Sequence, residues 1–559
     1  MIFGNTELYN SLLELGVIDK TLLTDAFEES KESGESLGEL LLQRDLISDE
    51  NLGMLVADIL KVPFVRLEKM TLDREILEKV PEEMARARGI IVFKVDIEGT
   101  HVAMRNPNDL LSVTFLKKKI DGALKIYYAT DRDIRNALFG YRKDVSAVFE
   151  EIINKHVGEA KTVESDTPII KIVETMLIYA YQSRASDIHI EPMEDSTQVR
   201  FRIDGVLHDV ISLPKNLEAQ LVSRIKIMSS LPTDEHAMAL DGKFEFEIPD
   251  MERVDVRVSI LPSTNGERIV MRILAGNIQQ FALLDLGFSE SDIKKVREAY
   301  SKPYGMVLAT GPTGSGKTTT MYAFLKIMNK RNVNIMTIED PVEYQIKGIN
   351  QIQVNPKTNL TFAVGLKSIV RQDPNIILVG EIRDEETASI AVNASLTGHL
   401  VLSTLHTSDA ATTVPRLLEM KIEPFLLASS VNLIVAQRLV RKICTSCRES
   451  EVVDAKMIKG EITDNLIKKF LEKSKDGVRL YKGKGCSVCR GTGYVGRVGI
   501  YEVMPMTEAI REAIMAKKDA DEIKKIAVKE GMTTMLEDGL SKVKLGQTTV
   551  DELLRVIKE

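Results

Sequence analysis

Gly311-Pro-Thr-Gly-Ser-Gly-Lys317-Thr318 fits the pattern G-x-x-x-x-G-K-[ST], and its flanks decide the fold. Before it, the apolar run Met306-Val-Leu-Ala-Thr310 predicts a buried strand. After it, Thr319-Thr-Met-Tyr-Ala-Phe-Leu-Lys-Ile-Met328 predicts a helix. The loop from Gly311 through Pro312, Thr313, Gly314, Ser315 and Gly316 to Thr319 is then the expected phosphate cradle. Its glycines let the backbone curl inward, and the following helix N-terminus favours an anion. Lys317 is expected to neutralise β- and γ-phosphates, and the Thr318 hydroxyl to hold Mg²⁺. A Gly-rich turn matching by chance would not need this strand–loop–helix context. The site takes a nucleoside triphosphate.

Three further apolar runs each end in polar groups. Asn334-Ile-Met-Thr-Ile338 runs into Glu339-Asp340-Pro-Val-Glu343, and Ile376-Ile-Leu-Val379 into Gly380-Glu381-Ile-Arg383-Asp384. Leu400-Val-Leu-Ser403 runs into Thr404-Leu-His406, with His399 just before it. Strands alternating with helices predict a doubly wound α/β sheet, in which ligands bind beyond the carboxyl ends of the strands. A single acid after a strand is usually a helix cap; three such strands beside one phosphate loop point to a site. Glu339 is the expected group to orient the attacking water. Glu381 stands where a Walker B acid should and is expected to hold Mg²⁺ through water, its arm being longer than the usual Asp. His406 is placed to report the γ-phosphate and His399 to support the strand, each with a packed structural role as the alternative.

The only four cysteines form Cys444-x-x-Cys447 and Cys486-x-x-Cys489, two knuckles with tetrahedral Zn²⁺ spacing. Disulfides are the competing reading, disfavoured in a reducing compartment. That compartment is expected to be the cytoplasm: Met1-Ile-Phe-Gly-Asn-Thr-Glu7 lacks the pattern of a signal peptide, and no run of eighteen apolar residues occurs. The net charge of −8 counts against a chain whose main task is gripping nucleic acid.

Upstream, Leu12-Leu-Glu-Leu-Gly-Val-Ile-Asp19 and Leu41-Leu-Gln-Arg-Asp-Leu-Ile-Ser48 are alike, each followed by an amphipathic helix for which Asp19 or Ser48 is the natural N-cap. They predict a duplicated helical hairpin, followed by short β runs (Gly89 to Lys94, Ala123 to Tyr128), charged helices (Asp131 to Leu138, Asp144 to Asn154) and a linker around Gly158 to Asp166. A helix over Pro168 to Ser183 then precedes alternating strands, whose arginines fall in pairs on one face: Arg200 with Arg202, Arg253 with Arg257, Arg268 with Arg272. A solvated face with Glu–Arg pairs is the plainer reading of these arginines. Beyond Thr413 the expectation is helical, interrupted by the cysteine segment.

Thr337-Ile-Glu-Asp-Pro-Val-Glu343, Arg371-Gln-Asp-Pro-Asn-Ile-Ile-Leu-Val-Gly-Glu-Ile-Arg-Asp384 and Thr397-Gly-His-Leu-Val-Leu-Ser-Thr-Leu-His406 resemble the Asp box, Walker B and His box of the type II secretion / type IV pilus assembly ATPases. Ala185-Ser-Asp-Ile-His-Ile-Glu-Pro192 and Arg202-Ile-Asp-Gly-Val-Leu207 are similar to that family's second N-terminal domain, and the tetracysteine segment to its metal motif. The resemblance covers about residues 160 to 559. It implies a P-loop RecA-like doubly wound sheet, preceded by a smaller α/β (PAS-like) domain and a mostly helical N-terminal domain, with a zinc-binding C-terminal insertion.

The implied domains are 1–145 (helical repeat and α/β docking), 146–166 (linker), 167–275 (arginine-bearing α/β), 276–440 (ATPase core), 441–500 (zinc segment) and 501–559 (C-terminal helices). It also implies ATP as substrate and a homohexameric motor, peripheral at the inner membrane, that drives a platform protein beside cytoplasmic assembly-ring proteins. Arg257 and Arg272 would reach a neighbouring subunit's nucleotide. The metal motif favours assembly or secretion over retraction. Length and the duplicated N-terminal unit lean towards pilus assembly over type II secretion, with a nucleic-acid translocase as a further rival. Where the family carries arginine followed by Pro-Gln, this chain has His236-Ala-Met-Ala-Leu240, and Asn375 and Ser408 replace Asp and Asn. The N-terminal repeat resembles a cyclic di-GMP-binding domain. Its Arg-Leu-Gly signature is reduced to Ser36-Leu37-Gly38 in one copy and absent near Tyr9 in the other, so dinucleotide binding is not expected.

Overall fold

In the computed structural model the apolar runs around the phosphate loop become neighbours in one seven-stranded sheet. Its order is Asn350–Gln353, Ile335–Glu339, Ile376–Val379, Leu400–Leu405, Gly305–Thr310, Val431–Ile443, Tyr494–Pro505. All neighbours are parallel except the last pair. Met306 and Leu308 belong to the core on one face and Val307 and Ala309 to the core on the other. That burial on both sides explains why these strands read as continuous apolar runs rather than alternating ones.

The structure describes residues 5–138, 141, 167–248, 253–274, 283–453 and 477–558, less 35, 44–45, 48, 68–69, 71, 121, 184, 487 and 490, together with 462, 466, 470 and 473–474. Ser48, the helix expected over Asp144 to Asn154 and the linker around Gly158 to Asp166 lie outside the described residues. The chain packs as two compact units, Met1–Leu52 with Gln280–Glu559, and Gly53–Gln279. Among the described residues no helix is long and apolar enough to cross a membrane.

In the first unit, helices Asn5–Leu15, Lys20–Ser33, Leu37–Gln43 and Asp49–Leu60 make the expected pair of hairpins, the last helix continuing past residue 52. Asp19 caps its helix, accepting from the Thr21 and Leu22 backbone N–H groups at 2.9 and 3.4 Å. The second unit has two cores. One lies on a three-stranded sheet of Ile90–Asp96, Gly99–Met104 and Leu124–Tyr128. The other lies on a six-stranded antiparallel sheet ordered Val206–Pro214, Ser196–Ile203, Ala185–Pro192, Gly266–Leu274, Arg253–Ser263, Leu240–Glu247. Ile188 and Ile190 face that core with helix Thr167–Gln182, leaving Asp187, His189 and Glu191 on the opposite face.

Helix was expected beyond Thr413, and the structure corrects this. Helices Thr413–Glu419 and Pro424–Ser430 are followed by the 13-residue strand Val431–Ile443. It is β-branched and buried on both faces, with Ile434 in one core and Leu433 and Val435 in the other. A fully buried strand carries no period-2 signal to separate it from a buried helix.

Four helices close the chain, the last being Val550–Lys558. Its buried Glu552 accepts from the Arg441 backbone N–H at 3.1 Å, the Arg441 guanidinium at 2.8 Å and Arg555 at 2.8 Å. Burial alone would raise this carboxyl, but the bonds from Arg555 and Arg441 win and hold it at about 2. A depressed carboxyl stabilises the fold fully above its usual value of 4.5 and loses that contribution as pH falls towards 2. Glu552→Ala should remove the buried carboxylate that ties the half-buried Arg441 to the exposed Arg555 and leave the Arg441 backbone N–H without its acceptor, at a cost of about 1 to 3 kcal/mol. Hydrogen-exchange protection factors across Val550–Lys558, corrected for the intrinsic rate at each pH, should fall in the variant, and in the wild type as pH drops through that window.

Candidate functional site

Helix Lys317–Met328 begins at Gly316, whose φ of 91° lets the loop turn back beneath the helix N-terminus. The buried Lys317 ammonium folds over the loop, donating to the Gly311 and Pro312 carbonyls at 2.8 and 3.0 Å. Burial pushes its pKa down to about 8, against the opposing pull of the Glu381 carboxylate. Thr318 is exposed in the first turn, where its hydroxyl can meet a cation. From the neighbouring strand, the Gln437 side-chain amide donates to the Ser315 carbonyl at 2.8 Å and braces the loop.

Next to the phosphate-loop strand lies Leu400–Leu405, which ends at His406. Beyond it lies Ile376–Val379, which leads to Glu381, and then Ile335–Glu339. At roughly 4.8 Å per strand, the three groups span an edge of about 10 Å, and about 14 Å with the phosphate-loop strand. The Ser403 and Thr404 hydroxyls donate to the Val379 and Gly380 carbonyls at 2.8 and 2.7 Å, and Gly380 N–H donates to Ile338 O at 2.8 Å. A Cβ on Gly380 would meet the Glu339 Cα at 3.2 Å, so glycine permits the close approach of the two acid-bearing strand ends.

The two acids are handled differently. Glu381 pairs with Arg383 at 2.5 Å and with His406 Nε2 at 3.3 Å. Glu339, only 3% exposed, accepts from the Tyr322 hydroxyl, from Thr337 Oγ1 at 2.6 Å and from Gln351 Nε2 at 3.2 Å. Burial raises its pKa, against the lowering effect of Thr337, Tyr322 and Gln351. Sequence reasoning gave Arg383 and Tyr322 no role. Arg383 lies two residues beyond Glu381, a spacing that shares one side of extended backbone and was the available signal. For Gln351 there was none, because its strand reaches Glu339 only through sheet pairing. His399 Nδ1 lies 3.0 Å from the Ala394 carbonyl, while its own carbonyl accepts from Gly305 N–H at 3.2 Å.

Arg257 and Arg272 belong to the other unit, where they are register partners on adjacent strands. Arg272 grips Asp187 at 2.9 Å and Arg202 lies 3.4 Å from the same carboxylate, while Arg200 and Arg268 reach Glu191 at 2.6 and 2.8 Å. The His236 stretch folds back on its own sheet: His236 Nδ1 lies 2.7 Å from Glu267, which also pairs with the fully buried Lys226 at 2.7 Å.

The four cysteines converge from two sheet ends. Cys444 and Cys447 follow strand Val431–Ile443, and Cys486 and Cys489 precede strand Tyr494–Pro505. The sulfurs of Cys444 and Cys486 are 3.8 Å apart, those of Cys447 and Cys489 3.7 Å, and those of Cys486 and Cys489 3.7 Å. Four thiolates at about 2.3 Å from one tetrahedral Zn²⁺ are separated by about 3.8 Å, so the set fits that ion. Burial opposes ionisation of Cys489, yet backbone N–H groups of Cys486 and Gly493 at 3.1 and 3.2 Å help hold it down to about 7.

The family model described as "Type II/IV secretion system protein" matches residues 162–555, and one described as "MshEN domain" matches residues 60–145. The chain is 38% identical over 558 residues to the type IV pilus assembly ATPase PilB of Myxococcus xanthus, covering 97% of each. It is 38% identical over 583 residues to type II secretion system protein E of Xanthomonas campestris pv. campestris, covering 100% of this chain and 99% of that one. The ATPase DotB of Yersinia pseudotuberculosis is similar in fold, with a TM-score of 0.52 at 20% identity over 71% of this chain and 95% of that one.

Proposed function

This chain belongs to the type II/IV secretion system protein family, and from that premise we propose that it is a hexameric motor that hydrolyses ATP to polymerise pilin at the inner membrane. ATP hydrolysis is its activity. The observation that supports a motor rather than a nucleotide-binding scaffold is the convergence of Lys317, Glu339, Glu381 and His406 on one sheet edge. The paired N-terminal hairpins favour pilus assembly, with type II secretion as the alternative, relatives of both kinds matching at 38% identity over nearly the full length. The motor would work in the cytoplasm on a membrane platform protein, held there with assembly-ring partners. Loss of surface pili with retained secretion, on deletion of the gene in its own cell, tests that choice.

Phosphoryl transfer to water needs positioning and charge neutralisation. Lys317, released from the Gly311 and Pro312 carbonyls, turns its ammonium to the β- and γ-phosphates. Thr318 and Glu381 are the residues suited to hold Mg²⁺, which when bound neutralises phosphate charge. His406, beside Glu381, follows the state of the γ-phosphate, and Glu339 orients the attacking water. The four cysteines would hold a structural Zn²⁺, four thiolates being a full ligand set that gives the ion a folding role and no part in activating water.

Lys317→Ala should weaken or misplace nucleotide. Glu339→Gln should leave affinity nearly intact and lower turnover at least about a hundredfold, the scale of one positioned catalytic group. Binding titrations beside phosphate release check this, and equal affinity losses would refute the division of labour. Elemental analysis should find one Zn²⁺ per reduced chain, and Cys486→Ser should lower thermal stability or ring yield before it changes catalysis in the protein that folds. In a head-to-tail ring, Arg257 and Arg272 would serve the neighbouring nucleotide, stabilising transition-state charge in trans. Mixing inactive Arg257→Ala with inactive Glu339→Gln should then restore part of the activity. No recovery in confirmed mixed hexamers would move the role to an arginine within the chain, for which Arg383, already on Glu381, is the candidate.

A further inference from the structure

Glu339 is a buried carboxylate that, among the described residues, is held by neutral donors only. Its neighbour across the edge, Glu381, is met by Arg383 and His406. The hub of the neutral set is Tyr322. Its ring is fully buried and edge-on to Tyr344, with centroids 4.7 Å apart. Its hydroxyl donates to one Glu339 oxygen and accepts from Glu343 N–H and Gln351 Nε2, both at 3.3 Å. Thr337 serves the other oxygen, and the two N–H bonds of Gln351 Nε2 are shared among that oxygen, the Tyr322 hydroxyl and the Tyr344 carbonyl, the last at 3.1 Å.

Tyr322 sits on the helix that starts at Lys317, one turn beyond Thr318 and on the same side. The residues expected to touch phosphate and Mg²⁺ therefore share a rigid element with the hydroxyl that fixes Glu339. We propose that Tyr322, with Thr337 on the opposite oxygen, is a positioning residue through which the phosphate-loop helix sets the orientation of Glu339. The inference rests on Glu339 acting on the attacking water. Neutral donors suit that role: they fix the rotamer of the carboxylate and leave its negative charge uncancelled, whereas a cation would neutralise the group. Among the described residues, the ionisable groups that bear on Glu339 are Tyr322, Glu343 and Tyr344, none of them cationic, and the Lys326 ammonium lies 5.5 Å from the Tyr344 ring centroid.

The test is a double-mutant cycle in the full-length protein, read as single-turnover ATP hydrolysis beside ATP affinity. Tyr322→Phe keeps the buried ring and should slow the hydrolytic step by about tenfold or more, the scale of a misplaced catalytic group, with affinity within about twofold of wild type. In the Glu339→Gln background the same change should cost nothing further, since a residue that acts through Glu339 has nothing left to position. Thr337→Val should repeat the pattern and stands in if the phenylalanine variant does not fold. A wild-type rate in Tyr322→Phe, or an additional loss in the Glu339→Gln background, overturns the proposal. A wild-type rate in Glu339→Gln instead removes the role of Glu339 on which it rests.

Discussion

A parallel sheet buried on both faces sends the carboxyl end of every strand to the same edge, and the arrangement of this site depends on that constraint. Lys317, Glu339, Glu381 and His406 span ninety residues of sequence, yet each follows a strand of the same sheet. None of the groups needs a local motif to find the others. What each needs is a strand apolar enough to be buried, and the two cores supply it, one on each face. The same geometry explains the close stitching between strand ends. Hydroxyls from Ser403 and Thr404 reach the strand that leads to Glu381, and Gly380 lets Glu339 and Glu381 share an edge that larger side chains would widen.

Charge is distributed along that edge with a clear asymmetry. Lys317 lies over carbonyls of its own loop, and Glu381 faces Arg383 and His406, so both are held by partners that a nucleotide or cation can replace. Glu339 is held by hydroxyls and an amide deeper in the fold. Exchangeable partners suit groups that bind and release ligand at each turnover. Fixed neutral partners suit a group whose orientation must already be set when ligand arrives, because preorganised groups avoid the cost of reordering at the reacting moment.

The sequence was most legible where burial was most complete. The four apolar runs and the helix after the phosphate loop became the expected elements, because a buried strand leaves an unbroken apolar run and a P-loop leaves fixed glycines. The cysteines were legible for a similar reason, since tetrahedral coordination demands paired knuckles, and the sulfurs do converge. Strand Val431–Ile443 was missed because the same unbroken hydrophobicity fits a buried helix. Ala185–Pro192 was seen as a motif and not as the strand that carries Asp187 and Glu191 under the arginines. The partners of Glu339 were out of reach for a different reason. Tyr322, Thr337 and Gln351 come from a helix and two strands, and only sheet pairing brings the amide to the acid.

Strand Val431–Ile443 touches more of the molecule than its place near the sheet margin suggests. Thirteen residues of extended chain reach about 40 Å. Along it lie Gln437 against the phosphate loop, Arg441 on the last helix, and then Cys444 in the sulfur cluster. It is paired on both sides over Leu433–Ala436, buried through Gln437, and continues to Ile443 against Tyr494–Pro505 alone. The cysteine knuckles and the closing helix are thus joined to the phosphate loop by one unbroken strand of backbone.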